Sequence, residues 1–398
     1  MEQTWRWFGP RDKVTLSDAR QAGAEGIVTA LHDVPIGEVW TRELIEARQD
    51  VVRAAGMSWS VVESLDVSER IKLREPGFEA DIDNFIASLR NLAACGLRVV
   101  AYNLMPVFSW MRTELSAPLE SGGYTTSYDA SVFAVFDIRM LRRAGAEEDW
   151  GEQRSRAAHA LYRSMPRTRR ETVLATILQG LPGGNQTFTL EDVHRGLERY
   201  RGVDAAVFRA NASEFLKRVC PVAEELGVRL AVHPDDPPRS LLGLPRIAST
   251  GDDLEFLLRQ WPGEANGITF CTGALGVRAD NHLQELAQRF AHRIWFAHLR
   301  STQREADGES FFEASHLEGD ADLIGVVIEL VREEHRRRSA GDAVPLPFRP
   351  DHGQQLLNDK ERGAQAGYPA VGRLRGLAEL RGVIRTTERF LATGRDIA

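Results

Sequence analysis

The sequence predicts an α/β fold, namely a (β/α)8 TIM barrel that occupies a single domain over residues 1–398. Amphipathic helical patterns alternate with short apolar runs, which is typical of a parallel sheet. This alternation recurs seven or eight times along the chain, which favours a closed barrel over an open sheet. No Gly-x-Gly-x-x-Gly motif follows the first predicted strand, so the usual pattern of a dinucleotide-binding fold is missing.

The repeating unit is a helix, a glycine that ends it, and a strand. Thr41 is placed to cap one helix, and Gly56, Gly96 and Gly227 each end a helix before an apolar run. Glycine suits that position because it adopts positive φ without strain. The predicted strands are 27–31, 59–62, 99–102, 230–232, 268–271, 294–297 and 346–348, with an eighth between residues 367 and 380.

One span is too long for a single βα unit. Residues 111–204 predict a helical insertion after the third strand, with helical patterns at 150–164 and 171–178 and a glycine-rich turn at 180–184. A further helix begins after Thr189, where Asp192 is placed as a capping-box partner. Three interpretations stay open: the insertion covers the barrel mouth, mediates subunit contact, or is a peripheral elaboration.

Composition excludes several classes of partner. The formal net charge is −7, which is unlike the basic footprint of a nucleic-acid-binding protein. No apolar run approaches the roughly 18 residues needed to span a membrane, and residues 1–7 lack the apolar core of a signal peptide. The three cysteines lie far apart in sequence, which fits a reducing compartment. We therefore expect a cytoplasmic protein.

Four residues of metal-binding type close four predicted strands: His233, Cys271, His298 and Asp351. The carboxyl ends of barrel strands carry the chemistry of this fold, so the four side chains should converge. Each alone has an ordinary structural explanation, and the conjunction is what indicates a metal site. The mixed nitrogen, sulfur and oxygen set favours Mn²⁺ or Fe²⁺ with open positions for substrate oxygens. A closed tetrahedral zinc site would leave little room for substrate.

Proton-transfer candidates lie beside the last ligand. His352 directly follows Asp351, and a histidine beside a metal can transfer protons near neutral pH. The alternative is that His352 only orients a ligand by hydrogen bonding. Tyr368 lies in the following loop, either as a second proton donor or as a packed aromatic residue. Asp351 therefore counts both as a metal ligand and as a catalytic-site residue.

Several polar side chains near the strand ends are candidates for substrate binding. Arg300 and Arg349 adjoin ligand segments and, together with Arg278, can pair with a carboxylate through a bidentate guanidinium. His32 and Asn103 follow the first and third predicted strands and can bind sugar-like hydroxyls. The expected substrate is thus an anionic sugar derivative.

Taken as runs of residues, these segments resemble bacterial D-mannonate dehydratases from end to end. The first matching run lies at the N-terminus and is Thr4-Trp5-Arg6-Trp7-Phe8-Gly9-Pro10. The other matching runs are Thr29-Ala30-Leu31-His32, Gly37-Glu38-Val39-Trp40, Tyr102-Asn103-Leu104-Met105-Pro106, Val232-His233-Pro234-Asp235-Asp236-Pro237-Pro238, Cys271-Thr272-Gly273, His298-Leu299-Arg300-Ser301 and Arg349-Pro350-Asp351-His352-Gly353.

The resemblance implies a xylose-isomerase-like TIM barrel of the longer form of that family. It implies loss of water from D-mannonate to give 2-dehydro-3-deoxy-D-gluconate, in hexuronate breakdown, with Mn²⁺ or Fe²⁺. Carried over by motif, the ligands are the same four residues, and His352 and Tyr368 are the acid and base in an order that the sequence leaves open. We also expect a homo-oligomer.

Two other functions compete with this one. A metal-dependent sugar or sugar-acid isomerase or epimerase on the same barrel also moves a C2 proton but expels no water. A non-catalytic sugar-acid-binding protein that keeps the metal site is a different class, and the intact acid–base candidates argue against it. The fold alone cannot decide between these functions, because barrels host many reactions.

Overall fold

The computed structural model describes residues 1–181, 187–342 and 344–393, and it contains a closed eight-stranded parallel barrel. The order of strands around the barrel is β1-β12-β9-β8-β7-β4-β3-β2. The barrel strands are β1 Glu2–Arg6, β2 Gly26–Thr29, β3 Ser58–Glu63, β4 Val99–Asn103, β7 Arg229–His233, β8 Asn266–Cys271, β9 Ile294–His298 and β12 Pro347–Arg349. The predicted TIM barrel and its seven assigned strands are confirmed.

The predicted position of the eighth strand is wrong. The barrel is closed by β1 at the N-terminus, which pairs with β12 on one side and β2 on the other. Polar residues hide this strand from an apolar pattern: the Thr4 hydroxyl donates to the Phe348 carbonyl at 2.7 Å, and Arg6 pairs with Glu63. Residues 367–380 instead enter a helix that begins at Ala370, with a buried face spaced every three or four residues.

Helices alternate with the barrel strands along the chain. They are α1 Leu16–Gln21, α2 Arg42–Ala54, α3 Glu69–Leu73, α4 Phe78–Ala94, α5 Ala130–Val135, α6 Ala146–Ser164, α7 Arg167–Gln179, α8 Leu190–Arg199, α9 Ala205–Glu225, α10 Gly251–Arg259, α11 Thr272–Leu275, α12 Leu283–Phe290, α13 Leu323–Ser339 and α14 Ala370–Ala392, with a π-helix at Phe136–Leu141 and a 3₁₀ turn at Ala291–Arg293. Within the described ranges, none of these helices combines the length and apolarity needed to cross a membrane.

The insertion follows β4, the fourth barrel strand, because the N-terminal strand shifts the count by one. It holds the predicted helices, now α6, α7 and α8, and the Thr189–Asp192 capping box is formed. Residues 182–184 of the glycine-rich turn lie outside the described residues. The insertion is not wholly helical, because it also contributes a hairpin to a second sheet.

This second sheet has four antiparallel strands in the order β10-β11-β6-β5. Two come from the insertion and two from the segment after β9, and all four follow the carboxyl ends of barrel strands. Their bounds are β5 Glu114–Pro118, β6 Tyr124–Tyr128, β10 Thr302–Arg304 and β11 Phe311–Glu313. The sheet therefore lies on the side of the barrel where the predicted ligands end their strands.

Alternation along the barrel strands decides which residues enter the interior. Phe296 belongs to a small buried cluster with Val61, Val99 and Ala231 from other strands, whereas its neighbour Ala297 belongs to the larger cluster shared with the helices. Side chains two apart on a strand share a face. His298 therefore points to the same side as Phe296, toward the barrel axis.

Candidate metal centre and active site

Three of the four predicted metal ligands form one cluster at the barrel mouth. His233, Cys271 and His298 are the last residues of β7, β8 and β9. One ligand atom from each lies within 4.8 Å of the other two. Adjacent parallel strands bring their carboxyl ends together, so consecutive strand-end residues converge without any special loop.

The acceptors beside the two imidazoles favour tautomers whose lone pairs face each other. His233 Nδ1 lies 2.6 Å from the Pro234 carbonyl, an acceptor, so this nitrogen carries the proton. His298 Nε2 lies 3.3 Å from the carboxylate oxygen Glu63 Oε1, an ion-pair contact that favours the proton on this nitrogen. The remaining atoms, His233 Nε2 and His298 Nδ1, are 3.2 Å apart. Two facing lone pairs repel unless a cation lies between them, so this donor set fits a metal ion.

The protonation states of these groups favour metal binding. Burial, reinforced by the Arg349 charge, lowers the pKa of His298 to about 4. Burial also lowers the pKa of His233. Both rings are therefore neutral at pH 7, which is the form that binds metals. Burial raises the pKa of the Cys271 thiol, against a smaller opposing effect of Arg300, so the thiol loses its proton only when a cation replaces it.

Asp351, the fourth predicted ligand, lies at the edge of this cluster. Its Oδ2 is 3.7 Å from Cys271 Sγ and 3.9 Å from His298 Nδ1. Its backbone has a φ of 62°, an unusual conformation for a non-glycine residue and one that often marks functional positions. Burial raises the pKa of Asp351, but Arg349 and other positive groups outweigh burial and hold this pKa well below its ordinary value.

A buried network of alternating charges supports the site. Arg349 Nη2 donates to Glu63 Oε1 at 2.9 Å, and Arg300 Nη1 donates to Asp236 Oδ2 at 2.8 Å. Four arginines and four carboxylates take part and their formal charges cancel: Arg6, Glu63, Arg349, Asp351, Arg300, Asp236, Arg112 and Glu313. Removing one member of a buried pair typically costs about 3–5 kcal/mol, so the network holds its side chains firmly.

His352 and Tyr368 lie together beside Asp351. Their ring centroids are 4.7 Å apart, and His352 Nε2 is 3.6 Å from Asp351 Oδ1. Burial lowers the pKa of His352 well below its ordinary value, despite the opposing effect of Asp351, so the resting ring is neutral. Burial raises the pKa of Tyr368 to about 12, so its hydroxyl keeps its proton near neutral pH. Both residues line the same cavity.

That cavity has a volume of about 1650 Å³, larger than the roughly 300–1,000 Å³ of a typical small-molecule pocket. The cavity extends from the cluster of His233, Cys271 and His298 to the loops after β2 and β3 and to helix α8. The predicted site residues that line it are His32, Asn103, His233, Arg300, Arg349, Asp351, His352 and Tyr368. Cys271 and His298 are fully buried next to its floor.

The predicted substrate-binding residues occupy different kinds of position. Arg300 and Arg349 reach the site, but both are already paired with carboxylates. Within the described part of the chain, His32 Nε2 is a buried atom without a hydrogen-bond partner. Asn103 Oδ1 accepts from the Met105 amide at 3.1 Å. The structure does not bring Arg278 to the cavity. The Arg278 guanidinium pairs instead with the exposed carboxylate of Asp280.

Sequence reasoning missed most of the charged network. Glu63 closes β3 and Glu313 closes β11, and both are buried polar residues at the end of a strand that also carries buried apolar side chains. That pattern, a carboxylate closing an apolar run, is the signal that found Asp351 and was not applied to these two. Arg112 lies in a loop and offers no comparable signal.

The closed barrel and the buried His–Cys–His cluster at its mouth define a TIM-barrel enzyme with a candidate metal centre. A xylose isomerase domain protein from Planctomyces limnophilus has a TM-score of 0.51 and 10% identity over 98% of both chains, so it shares the fold alone. The chain belongs to the D-mannonate dehydratase (UxuA) family, whose sequence profile matches residues 1–393.

Named relatives cover nearly the whole chain. The chain is 50% identical to a mannonate dehydratase of Chromohalobacter salexigens and 47% identical to one of Marinomonas sp., in each case over 383 residues, 96% of this chain and 98% of the relative. The crystal structure of mannonate dehydratase from Streptococcus suis serotype 2 superposes with a TM-score of 0.77 at 30% identity, covering 100% of this chain and 96% of the other. The family expected from the sequence is confirmed.

Proposed function

We propose that this chain carries out the reaction of its family: a hydro-lyase reaction that removes water from D-mannonate to give 2-dehydro-3-deoxy-D-gluconate. The observation that carries this proposal is the match of the family profile over residues 1–393. The convergence of His233, Cys271 and His298 supports it independently, because the reaction needs help in removing a weakly acidic C2 proton.

The proposed metal ligands are His233, Cys271, His298 and Asp351, and the proposed ion is Mn²⁺ or Fe²⁺. When bound, the divalent ion supplies Lewis-acid stabilisation of the negative charge that develops beside the substrate carboxylate. Charge balance supports a carboxylate substrate. The surrounding network is neutral, so the ion is matched by one Cys271 thiolate and one substrate carboxylate.

Two guanidinium groups are proposed to hold the substrate carboxylate. Arg300 Nη2 and Arg349 Nε are buried N–H donors without a hydrogen-bond partner among residues that the structure describes. Both side chains line the cavity, and their remaining nitrogens are fixed by ion pairs. Donors held in this way need little reorganisation when the carboxylate arrives.

The far end of the substrate carries hydroxyls, and His32 and Asn103 are proposed to bind them. Burial, together with the Arg6 charge, lowers the pKa of His32 to about 3, so the ring is neutral. A neutral imidazole both donates and accepts a hydrogen bond, which suits a hydroxyl better than a second carboxylate. Arg278 was predicted to pair with the substrate carboxylate, but its position outside the cavity lining gives that role no support.

Proton transfer is assigned to His352 and Tyr368. One of them takes the C2 proton, and the other delivers a proton to the departing C3 hydroxyl. For His352, the available atom is Nε2, which faces Asp351 at 3.6 Å. Such a positioned acid or base typically contributes about 10²–10⁴-fold to the rate.

The decisive test is a product assay. Metal-free protein is given D-mannonate with and without Mn²⁺, and separately with Fe²⁺ under anaerobic conditions, while the 2-keto-3-deoxy acid is followed. Metal-dependent formation of that acid is the expected result. An isomeric product of unchanged mass would favour the isomerase or epimerase, and binding without turnover would favour a binding protein.

We propose a homo-oligomer in the cytoplasm, and sedimentation analysis of the purified full chain tests the first of these. A single species of monomer mass at micromolar concentration would contradict it.

A further inference from the structure

Glu313 is an acidic residue whose side chain is buried at the end of a three-residue strand. It closes β11, and its side chain is as buried as that of Phe311 on the same face. Two side chains hold its main chain: its carbonyl accepts from the Thr125 hydroxyl on β6 at 2.7 Å and from the Gln354 side-chain amide at 3.2 Å. Gln354 lies two residues after His352, so the second sheet is tied to the segment that carries His352.

The Glu313 carboxylate faces His352 as well as two arginines. Its Oε1 lies 3.5 Å from His352 Nδ1 and 2.8 Å from Arg112 Nη2, and its Oε2 lies 2.9 Å from Arg300 Nε. Apart from this carboxylate, His352 Nδ1 has no polar partner in the described ranges, although it is buried. A separation of 3.5 Å exceeds that of a formed hydrogen bond, but such contacts commonly shorten when substrate binds.

We infer that Glu313 is a positioning residue for His352: it accepts a hydrogen bond from His352 Nδ1 and so keeps Nε2 directed at the substrate. This inference rests on the proposed proton-transfer role of His352. The carboxylate fixes the tautomer, because a proton held on Nδ1 leaves the lone pair on Nε2. It also favours the protonated ring that forms during turnover.

The inference gives the second sheet a direct part in the active site. Without β11 the nitrogen His352 Nδ1 would be buried without an acceptor, which is costly for a buried N–H group. Arg112 pairs with the same Glu313 oxygen that faces His352, and Arg300 pairs with the other oxygen, so these two ion pairs restrain the carboxylate beside the imidazole. The sheet therefore fixes the orientation of the catalytic ring from outside the barrel.

The test is a double-mutant cycle on the metal-loaded enzyme with Glu313→Gln and His352→Asn. We expect Glu313→Gln to lower kcat roughly 10–100-fold, as for other residues that orient a catalytic group, with little change in KM or in metal content. In the His352→Asn background the same substitution should have no further effect. Glu305→Gln, an exposed acid in the turn that joins β10 to β11, is the matched control and should leave kcat unchanged.

The outcomes separate this inference from the function on which it rests. If His352→Asn is impaired and Glu313→Gln is harmless, or lowers kcat by the same factor in both backgrounds, Glu313 does not act through His352. If His352→Asn itself turns over normally, the proton-transfer assignment fails first. Should Glu313→Gln fold poorly, Glu313→Asp keeps the charge facing the arginines and shortens the reach to His352, and the same comparison applies.

Discussion

Glu63 Oε1 lies 3.3 Å from His298 Nε2, and the same oxygen accepts a hydrogen bond from Arg349 Nη2 at 2.9 Å. The residue at the end of β3 therefore sets the tautomer of a histidine at the end of β9, on the other side of the barrel mouth. Partners of this kind orient the ligand and raise its basicity. The relationship makes Glu63 part of the proposed metal centre although it lies outside the ligand cluster.

Glu63→Gln should weaken metal binding. The amide keeps the size of the side chain but removes the negative charge beside His298, so we expect the metal dissociation constant to rise roughly 10–100-fold. Equilibrium dialysis with Mn²⁺, followed by metal analysis, measures it. Glu79→Gln, at an exposed position on α4, is the control. An unchanged dissociation constant would remove Glu63 from the site.

His298→Ala and Asp351→Ala should each remove most of the bound metal and with it the activity. Metal ions supply several kcal/mol of stabilisation to such reactions, so turnover should fall by at least about 10²-fold. His194→Ala, an exposed histidine on α8, serves as the control. Full metal content and full activity in both variants would show that the ligand assignment is wrong.

Removing the metal should lower the melting temperature of the wild-type chain. The donor atoms of His233 and His298 face each other at 3.2 Å only in the folded chain, so we expect the ion to bind the folded chain in preference to the unfolded one. A ligand at 100 times its dissociation constant stabilises by about 2.7 kcal/mol. Calorimetry after chelation, with Mn²⁺ added back in steps, measures the shift. A melting temperature independent of Mn²⁺ would count against the site.

The sequence alone predicts those structural features whose pattern lies within a short stretch of the chain, and it fails for features that depend on distant residues. The seven assigned strands and the His233–Cys271–His298 cluster at three strand ends were predictable, because a strand, its closing residue and its glycine-ended helix are neighbours in the chain. The N-terminal strand was not, since Thr4 and Arg6 break its apolar pattern and their partners are distant: Thr4 and Phe348 are separated by 344 residues.

Which charged residues pair with each other was unpredictable for the same physical reason, although Glu63 and Glu313 each close a strand with buried apolar side chains. Glu63 and Arg349 are 286 residues apart, and the sequence around each residue does not indicate that the two side chains form an ion pair. The second sheet was missed because its strands are only three to five residues long and pair across the insertion boundary. The assignment of Arg278 to the substrate site found no support, because a position near the end of a strand in the sequence does not fix the direction of a long side chain.

His352→Asn and Tyr368→Phe should separate the base from the acid. Both should keep the metal and lower kcat by about 10²–10⁴-fold. In D₂O, the variant that lacks only the acid should still exchange the C2 hydrogen of D-mannonate, because the base is intact, whereas the variant that lacks the base should not. Mass spectrometry of recovered substrate measures the exchange. Near-normal turnover in either variant would exclude that residue from proton transfer.

Gly367→Ala should impair turnover by displacing His352. Gly367 has a φ of 78°, and a methyl group built on it would lie 2.9 Å from His352 Nδ1. Gly363→Ala is the matched control, because Gly363 also has a positive φ, of 64°, but nothing lies within 4 Å of its added methyl. Each substitution costs about 1–2 kcal/mol in backbone strain, so both should lower the melting temperature, Gly367→Ala somewhat more because the His352 ring must also shift. Only Gly367→Ala should lower kcat, with metal content retained, and equal kinetics in the two variants would show that the position of the His352 ring does not limit the reaction.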